Sequence, residues 1–142
     1  MWLKDVLAAK GSRVVKVSAK STVADAIRIM HDENVGSVMI PDAENCPVGI
    51  FTERDVVRLY AGGDRDFDKL PVGSRMTCSL VVGKLSMSVD EALGLMTEHR
   101  FRHLPVVEEG ELIGLVSIGD LVKTKLNETA EEAQALRAYI AS

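Results

Sequence analysis

An internal duplication constrains this 142-residue chain more than any other feature of its sequence. Residues 49–55 read G-I-F-T-E-R-D, and a close copy, G-L-V-S-I-G-D, occupies residues 114–120. An offset of 66 residues aligns the apolar helical stripes upstream, and an offset of 65 aligns the two motifs. Neither half, at roughly 60 residues, could bury its own strands and helices well alone. The sequence therefore predicts two similar repeats that pack on each other.

Each half carries the same order of predicted elements, β-α-β-β-α. Short alternating runs predict strands, and apolar residues at helical spacing predict the helices between and after them. The strands are expected over residues 13–17, 36–40 and 48–52, then over 80–82, 103–107 and 111–116. The predicted fold class is α/β, with two pseudo-symmetric repeats and short N-terminal and C-terminal helices.

The duplication also sets the predicted domain boundaries. The stretch A-G-G-D-R-D-F-D-K after the first repeat is glycine-rich and charged, which is typical of a linker. The expected order is N-terminal helix, first repeat, linker, second repeat and C-terminal helix, over residues 1–11, 12–60, 61–76, 77–126 and 127–142. Met30 and Met96 fall on the apolar stripes and are expected in the core.

A hydroxyl three residues before an aspartate occurs in both motifs, as Thr52 and Asp55 and again as Ser117 and Asp120. Each motif lies where a predicted strand meets a predicted helix, so the hydroxyl can cap the first N–H groups of the helix. The aspartate in the first turn can also accept hydrogen bonds from the vicinal hydroxyls of a ribose. Simple capping and nucleoside binding both fit the pattern, and its recurrence favours binding.

Composition excludes several classes of function. Hydrophobic residues at 46% and charged residues at 27% are typical of a globular protein, and a net charge of −4 argues against a nucleic-acid surface. No apolar run is long enough to span a membrane, and the start lacks the apolar segment of a signal peptide. Cys46 and Cys78 show no metal-ligand spacing and are expected to be reduced thiols. We therefore expect a cytoplasmic protein without a metal site.

With these repeats, both hydroxyl-x-x-Asp motifs and the run R-F-R-H-L-P-V-V at residues 100–107, the chain resembles a tandem pair of cystathionine-β-synthase-type (CBS) domains, the Bateman module. The likeness covers about residues 12–125, without an attached catalytic domain, as in small stand-alone bacterial CBS-pair proteins. It implies a disc-like, non-catalytic regulatory module with two clefts between the repeats, which commonly forms a homodimer. It also implies an adenosine-containing ligand, with AMP or NAD(H) expected and ATP or S-adenosylmethionine as alternatives.

The resemblance also implies roles for individual residues. Asp55 and Asp120 would hold ribose hydroxyls, with Thr52 and Ser117 beside them. Arg102 and His103 would contact phosphate in the cleft of Asp55, where Arg54 adds a second guanidinium. Gly119 stands in the position of Arg54 in the second motif, which departs from a phosphate-binding pattern. Adenine would lie against the strands of the first repeat, near Val15, Val17, Ser18, Gly36, Ser37 and Val38.

Two other classes of function stay open from the residues alone. An enzyme is disfavoured because His31, His99 and His103 have no sequence partner that spells a metal site or a nucleophile and base. A dimerisation scaffold with vacant clefts would need no ligand. A dimer is expected in either case, because apolar helix faces would exceed what one module covers. Those faces comprise Trp2, Leu3, Leu7, Val23, Ala26, Ile27, Val89, Ala92, Leu93, Leu136 and Ile140. The regulated partner protein is not identified by the sequence.

Overall fold

The computed structural model describes residues 1–141, and Ser142, the last residue of the predicted C-terminal helix, lies outside the described residues. Five α-helices, four strands and one 3-10 turn make up the described chain. In chain order they are α1 (Leu3–Lys10), α2 (Val23–Asp32), β1 (Ser37–Pro41), β2 (Pro47–Thr52), α3 (Glu53–Ala61), the 3-10 turn (Val72–Ser74), α4 (Val89–His99), β3 (His103–Glu108), β4 (Glu111–Ser117) and α5 (Ile118–Ala141).

The chain divides into two compact units that follow the duplication only in part. The first-repeat unit consists of Arg13–Val81 together with Val107–Ile113. The second-repeat unit consists of Met1–Ser12, Val82–Val106 and the chain from Gly114 onward. The tip of the β3-β4 hairpin belongs to the first-repeat unit because Asn45 accepts from the N–H of Leu112 (2.9 Å) and donates to its carbonyl (3.0 Å).

The first-repeat unit is built on the β1-β2 hairpin. These strands pair antiparallel, with Ser37 opposite Thr52 and Val38 opposite Phe51. Helix α2 begins at the N-cap Thr22, whose hydroxyl accepts from Asp25 N–H at 3.1 Å. The core comprises Val17, Val23, Ala26, Met30, Val38, Ile40, Phe51 and Val72. The predicted core position of Met30 is confirmed, and Met96 is likewise buried in the second-repeat unit.

The first predicted strand of each repeat is reduced to one bridging pair, and in the second repeat that pair lies at Gly83, one residue beyond the predicted residues 80–82. Lys16 bridges Met39 in parallel, and Gly83 bridges Val106 in parallel. In the first segment, Val17 N–H donates to the Met39 carbonyl and Met39 N–H donates to the Val15 carbonyl, both at 2.9 Å. Residues 18–21 then turn toward α2, so pairing cannot continue.

Residues 61–76, predicted as a linker, connect the repeats but pack closely in the first-repeat unit. Val72 is fully buried, and its N–H donates to the Ser21 carbonyl at 2.7 Å. The Val23 N–H at the start of α2 donates to the Leu70 carbonyl at 2.8 Å. Because the segment is rich in charged residues and glycine, its composition did not predict the packing of Leu70 and Val72.

The C-terminal part of the chain corrects one expectation. Two helices were predicted, one from Asp120 and another over residues 127–142, but α5 is a single helix of 24 residues. No glycine or proline lies within it after Gly119, so nothing ends the helix between the two predicted segments. The hydroxyl of Thr129 donates to the Lys125 carbonyl at 3.0 Å, which is compatible with a continuing helix.

Candidate functional site

The first hydroxyl-x-x-Asp motif lies where β2 ends and α3 begins. Thr52 is the N-cap, and its hydroxyl accepts from Asp55 N–H at 3.3 Å. Asp55 Oδ2 accepts in return from Thr52 N–H at 2.9 Å and from the Thr52 hydroxyl at 3.1 Å. This reciprocal capping box holds a carboxylate that is only 3% exposed at the positive end of a helix.

The segment after the linker covers this motif. Thr77 pairs with Ile50 through two backbone hydrogen bonds of 3.0 and 2.8 Å, and its hydroxyl donates to Asp55 Oδ1 at 3.2 Å. Arg58, one turn along α3, also contacts Oδ1 at 3.3 Å. A Cβ at Gly49 would lie 2.2 Å from the Met76 sulfur, so the cover sits directly on the motif glycine. Both carboxylate oxygens of Asp55 therefore have partners, two of which are hydroxyls.

The second motif repeats the capping box where β4 ends and α5 begins. Asp120 N–H donates to the Ser117 hydroxyl at 3.1 Å, and Ser117 N–H donates to Asp120 Oδ2 at 2.8 Å. Its cover is α1, from the beginning of the chain. Lys10 donates to Asp120 Oδ2 at 2.5 Å and to the Leu115 carbonyl at 2.9 Å. A Cβ at Gly114 would lie 2.7 Å from a Leu7 methyl group.

The electrostatic environment keeps Asp120 ionised. Burial of the carboxyl alone would raise its pKa, but hydrogen bonds and charge from Lys10, together with hydrogen bonds from Ser117, outweigh that effect. The pKa of Asp120 is therefore lowered from its ordinary value of 3.8. A carboxylate in this state is an acceptor only, and its nearest cation is supplied by the chain itself.

The two units place equivalent backbone around their motifs. In the first-repeat unit, Glu53 N–H donates to the Gly36 carbonyl at 3.1 Å, and in the second-repeat unit Ile118 N–H donates to the Arg102 carbonyl at 2.9 Å. Gly36 and Arg102 thus occupy matching positions, as the aligned sequences predict. Arg102 is exposed and has no ion-pair partner within residues 1–141.

The remaining predicted site residues of the first repeat lie close to the first motif or along the strand beside it. Ser37 is buried opposite Thr52, and Val38 and Val17 are buried in the same unit. Val15 is half-buried, Ser18 is exposed, and Arg54 is exposed on the first turn of α3. His103 is half-buried at the start of β3 in the second-repeat unit, where Ser117 and Asp120 also lie.

A third hydroxyl-x-x-Asp box provides an internal control. Thr22 and Asp25 make the same two reciprocal hydrogen bonds at the start of α2, at 3.1 and 3.2 Å. Its aspartate side chain is 48% exposed and pairs with Arg28 on its own helix. The capping box alone is therefore not a binding signature. Asp55 and Asp120 differ from Asp25 because each also contacts a residue from a covering segment.

Sequence reasoning missed the two covering residues, Thr77 and Lys10. Their partners lie 22 and 110 residues away in the chain, beyond the reach of local spacing. The available signal for Lys10 was its place one helical turn after Leu7, on a helix expected to dock. Within residues 1–141, no cluster of side chains suited to a metal ion occurs, and no helix is long and apolar enough to cross a membrane.

Similarity to known proteins identifies the family of this chain. The sequence profile of the CBS domain matches residues 4–62 and 72–127. A mitochondrial CBS domain-containing protein of Arabidopsis thaliana, CBSX3, is 36% identical, with 97% of this chain and 71% of that protein covered. A crystal structure of a CBS-domain protein from Agrobacterium tumefaciens is 38% identical with a TM-score of 0.84, covering 88% of this chain and 99% of that one.

One further solved structure carries a ligand. A CBS domain protein from Pyrobaculum aerophilum, complexed with AMP, is 25% identical with a TM-score of 0.75, covering 84% of this chain and 89% of that one. With two domain matches, a duplicated capping motif and these structural neighbours, the chain belongs to the CBS domain family and carries two CBS domains in tandem.

Proposed function

We propose that this chain is a regulatory module that binds an adenine nucleotide, AMP or NAD(H), at the Asp55 motif without reacting it. The observation that carries the proposal is the set of partners around Asp55. Its oxygens accept from the hydroxyls of Thr52 and Thr77, the same kind of donor that a ribose diol presents. A ligand that replaced the Thr77 hydroxyl would leave the buried carboxylate satisfied.

The Arg58 contact does not compete strongly with such a ligand. The Arg58 side chain is 66% exposed whereas that of Asp55 is 4% exposed. The guanidinium can therefore turn into solvent when a ligand hydroxyl replaces it on the buried carboxylate. The AMP complex of the Pyrobaculum aerophilum relative adds support for an adenosine-containing ligand.

The proposed roles of the other residues follow the chemistry of a nucleotide. Thr52 would stay beside the ribose, and adenine would lie against the strands of the first repeat. Arg54, Arg102 and His103 would contact phosphate, since a guanidinium donates two parallel hydrogen bonds to phosphate oxygens. Adenine contacts are proposed for Val15, Val17, Ser18, Gly36, Ser37 and Val38.

Regulation would act through conformational populations. A nucleotide that binds one arrangement of the module more tightly than another shifts the equilibrium by the difference in binding free energy. A partner protein that responds to this shift would bind to the module and would not be chemically changed by it. A cytoplasmic location is proposed with it, and the exposed free thiol of Cys78 suits a reducing compartment.

A thermal-shift series with AMP, NADH, ATP and S-adenosylmethionine tests the function. AMP or NADH should raise the unfolding midpoint by several degrees at concentrations well above Kd. Mass spectrometry of small molecules that co-purify with the protein should identify the same ligand. Chromatography of the incubated nucleotides should return them unchanged. No shift with any of the four ligands, or conversion of one of them, would overturn the proposal.

A structural scaffold is the second candidate, and one observation favours it. Asp55 is buried with partners on both oxygens, so it can serve α3 as a cap without any ligand. In that case Asp55→Asn would lower stability, and the unfolding midpoint would be indifferent to nucleotides. The thermal-shift series therefore separates the two candidates.

We also propose that the module is a homodimer. Several stripes expected at the dimer surface are instead buried, since Val23, Ala26, Val89 and Ala92 belong to the cores of their own units. Exposed apolar side chains lie at the N-terminus and along α5. They are Met1, Trp2, Val122, Leu126, Leu136, Tyr139 and Ile140. Such a surface is typical of an association site.

Sedimentation at micromolar concentration tests this assembly. The wild-type chain should sediment as a dimer, and Leu136→Glu with Ile140→Glu should sediment as a monomer, because paired carboxylates cannot be buried in an apolar interface. Exchange of the exposed residue Lys123 for Glu is the matched control and should leave the dimer intact. A monomeric wild-type chain would contradict the proposal.

A further inference from the structure

Lys10 bridges the first helix and the second motif. Its ammonium donates to Asp120 Oδ2 at 2.5 Å and to the Leu115 carbonyl at 2.9 Å, all within the second-repeat unit. Oδ2 is also the oxygen that closes the capping box with Ser117 N–H. In the first motif the corresponding oxygen, Asp55 Oδ2, accepts from Thr52, and the Thr77 hydroxyl approaches the other oxygen, Oδ1.

The position of Lys10 is fixed by the packing of α1. Leu3 and Leu7 are buried on the face that carries Lys10, and Leu7 lies against Gly114 so closely that a Cβ there would meet it at 2.7 Å. Leu3 N–H donates to the Met87 carbonyl at 2.9 Å, which ties the start of the helix down. The ammonium side chain is 34% exposed and Asp120 is 26% exposed, so the pair is partly shielded from solvent.

A ribose would displace Lys10 from Asp120 less easily than it would displace Thr77 from Asp55. A ribose hydroxyl that displaces the Thr77 hydroxyl exchanges one neutral donor for another. A ribose diol that spans both oxygens of Asp120 has to displace the ammonium on Oδ2 from a carboxylate whose burial already disfavours its charge, and a charge-assisted hydrogen bond is about twice as strong as a neutral one. The second motif therefore resists a nucleoside.

We propose that Lys10 is the residue that determines the binding stoichiometry, because it keeps Asp120 closed to nucleosides and leaves the Asp55 motif as the binding site. This inference rests on the proposed function for the identity of the ligand. It assigns to the N-terminal helix a role in choosing between two nearly identical motifs. Gly119 stands where the first motif has Arg54, so α5 has no guanidinium directly before Asp120, and its first cation is Lys123, one turn later.

Equilibrium dialysis of the full chain against radiolabelled AMP tests the assignment. Lys10→Met keeps the apolar stem and removes the ammonium, and Lys4→Met makes the same change at an exposed position of α1. The wild-type chain and Lys4→Met should bind one AMP. Lys10→Met should bind two, with the affinity of the second site raised about tenfold or more. The double variant Lys10→Met with Asp120→Asn should return to one.

The outcomes separate this inference from the proposed function. One AMP on both the wild-type chain and Lys10→Met, or two on the wild-type chain, overturns the role of Lys10 and leaves nucleotide binding intact. No AMP on the wild-type chain but one on Lys10→Met, lost with Asp120→Asn, supports Lys10 and overturns the Asp55 assignment. No AMP on either protein overturns both.

Two further controls keep the test decisive. Circular dichroism melts establish that each variant is folded, and Lys10→Gln replaces Lys10→Met if the latter unfolds, because glutamine still donates to the Leu115 carbonyl without charge. If Lys10→Met or Lys10→Gln bound less AMP than the wild-type chain, Lys10 would be a phosphate ligand, which contradicts the inference.

Discussion

The two motif regions share one backbone design and differ in the segment that covers the aspartate. Gly49 is approached by Met76 and Gly114 by Leu7, so in both units an apolar side chain sits on the motif glycine. A polar group of the same cover then reaches the carboxylate: Thr77 for Asp55, and Lys10 for Asp120. The two covers come from the segments that open the two CBS matches, at residues 4 and 72, but one contributes an ammonium and the other a hydroxyl.

This difference shows how one motif can acquire two properties. The capping box fixes each helix start in the same way, as it does at Thr22 and Asp25. What changes is the charge of the covering donor. The neutral hydroxyl of Thr77 leaves Asp55 able to accept hydrogen bonds from a ribose, whereas the ammonium of Lys10 pairs with the negative charge of Asp120. Which of the two motifs can bind a nucleoside is therefore determined by residues outside the motifs, Thr77 and Lys10.

The largest expected effect is on affinity for AMP. Asp55→Asn should weaken binding tenfold to hundredfold, or about 1.5 to 3 kcal/mol, because charge-assisted bonds to ribose are lost. Asp120→Asn should leave AMP affinity nearly unchanged in the wild-type background, since Lys10 already holds that carboxylate. Titration calorimetry measures both variants, and Asp25→Asn serves as the control for loss of a capping box. Equal losses at positions 55 and 120 would show that the covers do not distinguish the motifs.

The next effect concerns stability. Gly114→Ala should lower the free energy of unfolding by about 1 to 3 kcal/mol, because the added Cβ presses on Leu7, which is only 6% exposed. Gly49→Ala should cost less. Although its Cβ would come within 2.2 Å of the Met76 sulfur, that side chain is flexible and half-buried and can turn outward.

Urea unfolding at neutral pH gives both free energies, and Gly94→Ala is a helical control where a Cβ has open space. That control should be neutral or slightly stabilising. A larger loss at Gly49 than at Gly114 would mean that the linker cover is the more rigid of the two, which would also disfavour displacement of Thr77 by a ligand.

Much of this architecture is predictable from local sequence, because caps and strands depend on neighbours. Both hairpins and the helices that start at Val23, Glu53 and Val89 are confirmed to within a residue or two. The covers are not predictable in this way. Lys10 reaches Asp120 because α1 packs on β4, and that contact joins residues 110 positions apart. Aligning the repeats shows where their motifs match, but it does not show which residues of the two opening segments reach the aspartates.

A third expected effect separates phosphate from ribose recognition. The second repeat carries Arg102 where the first carries Gly36, so the cation proposed for phosphate belongs to one copy only. Arg102→Ala should weaken AMP about tenfold and leave adenosine nearly unchanged, because adenosine keeps base and ribose but lacks the anion. Calorimetry of two ligands against two proteins isolates this coupling. Arg28→Ala removes the same charge elsewhere and should alter neither ligand's affinity.

If Arg102→Ala weakened both ligands equally, Arg102 would support the shape of the site and would not contact phosphate. A selective loss for AMP would make the pair of repeats functionally unequal in two respects. The first would supply the ribose acceptor and the second would supply the cation.

The smallest expected effect is the pH dependence of the Lys10–Asp120 pair. The pKa of Asp120 is lowered in the folded chain from its ordinary value of 3.8, so the unfolded chain takes up the proton first as pH falls. The stability from this pair is therefore fully present above about pH 4 and is lost as pH falls through the lower, folded pKa.

Lys10→Met should be less stable than the wild-type chain by up to about 1 kcal/mol near neutrality, since the pair is partly exposed. Urea unfolding should show that difference shrinking toward about pH 2 and with added salt. In an Asp120→Asn background, Lys10→Met should cause a smaller loss that no longer varies between about pH 2 and pH 4. A wild-type advantage that persisted unchanged at low pH would assign the ammonium's contribution to the Leu115 carbonyl, and Lys10 would then hold α1 on β4 without controlling the carboxylate.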